Sequence, residues 1–202
     1  TEYNNANSTN YSTISVKNRS GAGDAFDAKY KAMLNDYAEF RPESTISNKC
    51  FVWLQGESDT HKYVEYKLKL QALWSHLQTL GFTHFFIARV GFWGSTAILE
   101  EIKAQTDFCA ENENCYIVTR APSLIPHPSA TTSNWWANEP SSEYDNCRDS
   151  YISNTSNNHF NEKAHKIFAK KSAQNIDRIL HMGLPPVLEE ENIKGMIGYG
   201  EN

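Results

Sequence analysis

The sequence is short of the features that mark several large classes of protein. Its apolar runs, such as Phe85 to Val90, fall far below the ~20 residues a membrane span needs. The N-terminus lacks a charged segment followed by an apolar one, so any export signal is expected to have been removed or never to have been present. Positive charge is scarce: 19 Lys and Arg against 24 Asp and Glu leave a net charge of -5. Such a chain has no basic field with which to hold a nucleic-acid backbone, and neither nucleic acid nor a membrane span is expected. The four cysteines, Cys50, Cys109, Cys115 and Cys147, lack the paired C-x-x-C spacing of a zinc knuckle, so no metal is expected. No internal repeat interrupts the chain.

What is present suffices for one core. With 202 residues, 40% hydrophobic and 12% aromatic, the default is a single α/β domain. Cys109 and Cys115 bracket the polar stretch 110–114, which a disulfide can close. That bridge is expected over a pair of free buried thiols, and it favours a periplasmic or secreted setting.

The first 23 residues are rich in Asn, Ser, Thr and Gly without a sustained period. Asp24 then caps a predicted helix with Phe26, Tyr30, Met33, Leu34 and Tyr37 on its apolar face. Cys50 to Leu54 is a short apolar run of the kind found in a buried parallel strand, ending at Gln55-Gly56. A helix is predicted after Asp59 or Thr60, from the spacing of Tyr63, Tyr66, Leu70, Leu73, Leu77 and Leu80, with Gly81 as its stop. A strand over Phe85–Val90, a helix over Ala97–Phe108 and a strand over Tyr116–Thr119 follow. The alternation predicts a parallel sheet covered by helices, with the site on loops at the carboxyl ends of the strands. Ala121 to Asn158 reads as one long loop of functional type. A last helix is expected near Glu162 to Leu180, and 184–202 as a surface tail after a domain spanning 1–183.

Two segments carry the chemistry. Trp53-Leu54-Gln55-Gly56-Glu57-Ser58-Asp59 directly follows a buried strand, where a tight glycine turn can aim Gln55, Glu57 and Ser58 at a cleft. Taken alone, a strand-to-helix turn capped by Ser58 or Asp59 explains it as well. Asn157-Asn158-His159-Phe160-Asn161 stands just before the last helix, with Asn161 as N-cap. The positive end of that helix disfavours imidazolium and leaves His159 able to accept a proton, as a general base must. A surface histidine beside a cap is the plainer alternative.

Together the two segments resemble the sialate O-acetylesterase branch of the SGNH hydrolases, relatives of the carbohydrate acetylxylan esterases. The resemblance runs from Ile46 to Leu180 in order and element type. It implies a three-layer α/β/α sandwich with a central parallel sheet, of SGNH or flavodoxin-like type, and a carbohydrate O-acetylesterase working without metal or organic cofactor. It implies His159 as base, Gln55 as side-chain donor to the oxyanion, Glu57 as an acid lining that pocket, and a structural role for Asp59.

Two departures stand out. The family's Asp-x-x-His has Ser156 in the acid's place, leaving a Ser-His dyad or another carboxylate, Asp149 or Glu57, to orient the base. The family's Gly-Gln-Ser-Asn type segment is also absent ahead of Gln55. The expectation is therefore a sheet lacking its first strand here, with an N-terminal fragment or second chain supplying the serine beside Cys50–Leu54. Ser20, within Asn18-Arg19-Ser20-Gly21-Ala22-Gly23, and Ser58 are the alternatives inside the chain.

Arg89 is a candidate clamp for a sugar carboxylate such as that of sialic acid, or half of an internal salt bridge. Trp135 and Trp136 are a candidate stacking wall for a sugar ring, or packing at the core edge. An acetylated sugar or glycan is the expected partner. The rival functions are a sugar O-acetyltransferase and a non-catalytic glycan-binding or assembly domain.

Overall fold

A computed structural model describes residues 48–57, 59, 62–93, 96–124, 152–154 and 157–189. The helix expected after Asp24, the candidates Ser20, Ser58, Trp135 and Trp136, and Asp149 and Ser156 lie outside the described residues.

Three strands, β1 (Cys50–Trp53), β2 (His84–Ala88) and β5 (Cys115–Thr119), form a parallel sheet in the order β1-β2-β5. Helix α1 (Tyr63–Thr79) connects the first two strands and α2 (Leu99–Glu111) precedes the third. The register pairs Phe51 with Phe85 and Phe85 with Cys115, so alternation puts Phe51, Trp53, Phe85, Ile87, Cys115 and Ile117 on one face. Against that face pack Tyr66, Leu70, Leu73, Trp74 and Leu77 of α1 with Ala104 and Phe108 of α2. Each such fully buried large apolar side chain contributes ~1.5–3 kcal/mol. The helical stripe read from the sequence is the buried stripe of α1, and Gly81 takes the left-handed φ of +81° that ends the helix.

The opposite face carries Phe86, Ala88 and Val118, all buried, beneath α4 (Glu162–Met182). Asn161 is its N-cap as expected, accepting from Ala164 N at 3.1 Å, and Gly183 closes it with φ +65°. On this face of β1, Val52 is 54% exposed. Among the described residues β1 pairs only with β2.

Several expectations are corrected. Helix α1 begins at Tyr63 instead of near Asp59, because Asp59 N bonds back to Gly56 O and spends that stretch on a turn. Helix α2 runs through Glu111, which shortens the predicted polar loop to 112–114; Asn114 sits there at φ +61°, a conformation asparagine tolerates. The long loop from Ala121 to Asn158 contains a helical turn, α3 (Ala121–Leu124), and two strands near its end, β6 (Ile152–Asn154) and β7 (Asn157–Phe160), paired antiparallel. A further short ladder joins β3 (Phe92–Trp93) to β4 (Thr96–Ala97). The structure carries Cys109 and Cys115 as free thiols.

The described part of the tail, 184–189, stays at the surface but is stitched to the sheet. Asn175 Nδ2 donates to Val118 O (2.8 Å) and Val187 O (2.9 Å), while its Oδ1 accepts from Val187 N (2.7 Å). The Glu189 carboxylate accepts from Thr119 Oγ1 and Arg120 N, both at 2.7 Å.

Candidate functional site

The turn after β1 leaves the carboxyl end of a parallel strand, where open α/β sheets present their ligand sites. Gln55 is 5% exposed, and its Nε2 donates to Asp59 Oδ2 at 2.6 Å, a short charge-assisted bond. Asp59 thereby selects the amide's orientation, because a carboxylate can only accept. Gly56 adopts φ +151°, and a Cβ there would stand 3.1 Å from Val90 Cγ2 and 3.2 Å from the Tyr66 hydroxyl. No other residue fits that turn without displacing its neighbours.

Under the turn lies a buried polar knot. Tyr66 Oη donates to Gln55 O at 2.6 Å and accepts from Trp53 Nε1 at 3.1 Å and from Gln105 Nε2 at 3.0 Å. Gln105 Nε2 also donates to Gln55 O at 2.8 Å, and its Oε1 accepts from Val90 N at 3.0 Å. Every donor and acceptor of the Gln105 amide group is thus engaged with the ends of β1 and β2 or with α1.

Three carboxyl groups surround this knot. Burial raises the Glu57 carboxyl above its usual range, partly offset by the Gly56 and Glu57 amides, and the Asp59 charge adds to the rise. Glu101, in the first turn of α2, is 0% exposed. Burial pushes its carboxyl up to about 7, with the charges of Asp59 and Glu100 adding and the Glu101 and Lys62 amides opposing. Among the described residues no group of His, Cys, Asp and Glu is arranged to hold a metal ion.

Of the residues singled out in the sequence, the structure therefore brings Gln55, Glu57 and Asp59 together. His159 falls in β7, two positions before the N-cap Asn161; its side chain lies outside the described ones. Arg89 is 1% exposed and turned into the protein, where its guanidinium donates to Thr106 Oγ1 and Ser123 Oγ, both at 3.3 Å.

Tyr66, Glu101 and Gln105 were not singled out from the sequence. A signal existed for the last two: Ile98, Glu101, Ile102, Gln105 and Phe108 recur at helical spacing, so two polar residues sit on an apolar stripe. A buried polar residue on such a stripe must find a partner or shift its ionisation.

Comparison with family models, with curated proteins and with solved structures returned no match for this chain.

Proposed function

We propose that the chain forms the oxyanion side of a carbohydrate O-acetylesterase of the SGNH type, with His159 as its base. The observation that carries this reading is the Gln55 amide at the carboxyl end of β1, fixed by Asp59 at 2.6 Å. An oxyanion donor must be aimed before the substrate arrives, because reorienting a dipole during the reaction forfeits most of its benefit. On this reading the amide so held is the side-chain group aimed at the developing oxyanion. The match of Trp53 to Asp59, followed downstream by His159-Phe160-Asn161, to the family's two segments supports the same reading.

In the proposed reaction a serine attacks the acetyl carbonyl while His159 takes its proton. Gln55 and backbone amides stabilise the tetrahedral oxyanion. His159 then protonates the departing sugar oxygen and activates water to release acetate. Glu57, with its carboxyl raised, lines this pocket as a neutral acid or a carboxylate according to pH. The nucleophile is a serine delivered beside β1, with Ser20 and Ser58 as the alternatives within the chain.

The test is labelling of the full protein by a fluorophosphonate, with the modified serine mapped by mass spectrometry, alongside hydrolysis of an activated acetyl ester. His159→Ala is expected to lower kcat by about 10³-fold or more while leaving the fold intact. A wild-type protein that neither hydrolyses acetyl esters nor takes the label would refute the proposal.

A further inference from the structure

The sequence motif ends at Asp59, yet the geometry of its turn is fixed from elsewhere. We propose that Gln105, acting with Tyr66, is the positioning residue of the Gln55-Gly56 turn, setting the direction in which the turn's donors face the reacting carbonyl. The inference rests on the esterase reading.

Both lone pairs of Gln55 O are taken, by the Tyr66 hydroxyl at 2.6 Å and Gln105 Nε2 at 2.8 Å. A carbonyl held twice cannot rotate. Because the peptide is planar and trans, its N–H points opposite to its carbonyl. Anchoring Gln55 O down onto Tyr66 and Gln105 therefore directs the Gly56 N–H away from the knot, to the side where it meets the Glu57 carboxyl. The other end of Gln105 holds Val90 N at 3.0 Å, so a single side-chain amide sets the turn after β1 against the end of β2. The amide's orientation is unambiguous, because Val90 N–H requires an acceptor and Gln55 O requires a donor. Gln105 touches no reacting atom and acts through the turn.

This role predicts more than a loss of stability. Gln105→Met keeps the length of the side chain and removes every hydrogen bond, so the turn loses one of its two anchors. A displacement of about 1 Å in a positioned donor costs on the order of 10²-fold in rate. Gln105→Glu is the more telling variant. Its neutral acid can donate one hydrogen to Gln55 O and accept Val90 N–H, as glutamine does. Its carboxylate has no hydrogen to donate and faces a carbonyl oxygen.

The experiment measures kcat and KM for an activated acetyl ester across pH in the full protein, for wild type, Q105M, Q105E and Tyr66→Phe. The expected result is a kcat for Q105M lowered about 10²-fold at every pH, with KM within about two-fold. Q105E should approach wild type at low pH and lose kcat as pH rises, with a transition that wild type lacks. Should Q105M fail to fold, the Q105E profile and the kcat of Y66F decide the matter. An active wild type with Q105E superimposing on it across pH, or with the losses confined to KM, overturns the positioning role and leaves the esterase reading standing. An inactive wild type overturns both.

Discussion

Glu101 is the sharpest place to perturb this protein, because its side chain is wholly buried and the Glu101 and Lys62 amides offset only part of that burial. In the unfolded chain its carboxyl titrates near 4.5, whereas in the folded protein burial holds the proton to about 7. Between those values the native state binds a proton that the unfolded state has lost, so stability falls as pH rises through that window and is level outside it. The span from 4.5 to about 7, at 1.36 kcal/mol per pH unit, is about 3 kcal/mol. Glu101→Gln removes the titration and keeps the shape. Its packing cost is the same at every pH, so a comparison across pH isolates the ionic part. Urea unfolding of wild type and E101Q at about pH 4 and about pH 8 should show the variant gaining up to about 3 kcal/mol relative to wild type on going to the higher pH. A difference between the two proteins that stays constant within about 0.5 kcal/mol across this range would refute the reasoning, since it would mean that Glu101 is ionised at no extra cost.

Three further outcomes follow from close contacts. Gly91→Ala would place a Cβ 2.3 Å from Ser123 Cα, so the end of β2 and the Ala121–Leu124 turn must separate; a loss of about 3 kcal/mol is expected by thermal or urea unfolding. Asn175→Ala removes three hydrogen bonds and strands the buried Val118 carbonyl; about 2–4 kcal/mol should be lost, and limited proteolysis should cut within 184–189 sooner. Burial raises the thiols of Cys109 and Cys115, the latter to about 12, so native alkylation at neutral pH should be slow at both. Prompt labelling in urea without reductant is expected from the free thiols of the structure, and its absence would indicate the bridge.

What was legible in the sequence was local. The stripe from Tyr66 to Leu77 and the run Cys50 to Leu54 announce elements because their partners recur at a fixed short spacing. Asn161 announces a cap because the group it satisfies, Ala164 N, is three residues away. The Gln105 bond to Gln55 O spans fifty positions, and no periodicity encodes which buried polar residue meets which carbonyl. Arg89 was read as a sugar clamp or as half of an internal salt bridge; in the structure it is buried and donates to Thr106 and Ser123. Strands β6 and β7 escaped because Ile152-Ser153-Asn154 and Asn157-Asn158-His159-Phe160 lack the alternation that marks a strand with one wet face. The Gln55-Gly56 segment was legible as a tight turn after a strand, while the knot that shapes it was not.

The stitching of 184–189 to the sheet fixes an order of events. Thr119 and Glu189 are seventy residues apart, and closing so long a chain directly costs several kcal/mol of entropy. Once α4 has docked, however, Asn175 is in place beside Val118, and the remaining closure to Val187 spans twelve residues. The strap therefore forms after the helix and opens before it. Amide exchange at Val187 should report a local opening of lower free energy than that of the β2 and β5 amides, which exchange only when the sheet itself comes apart.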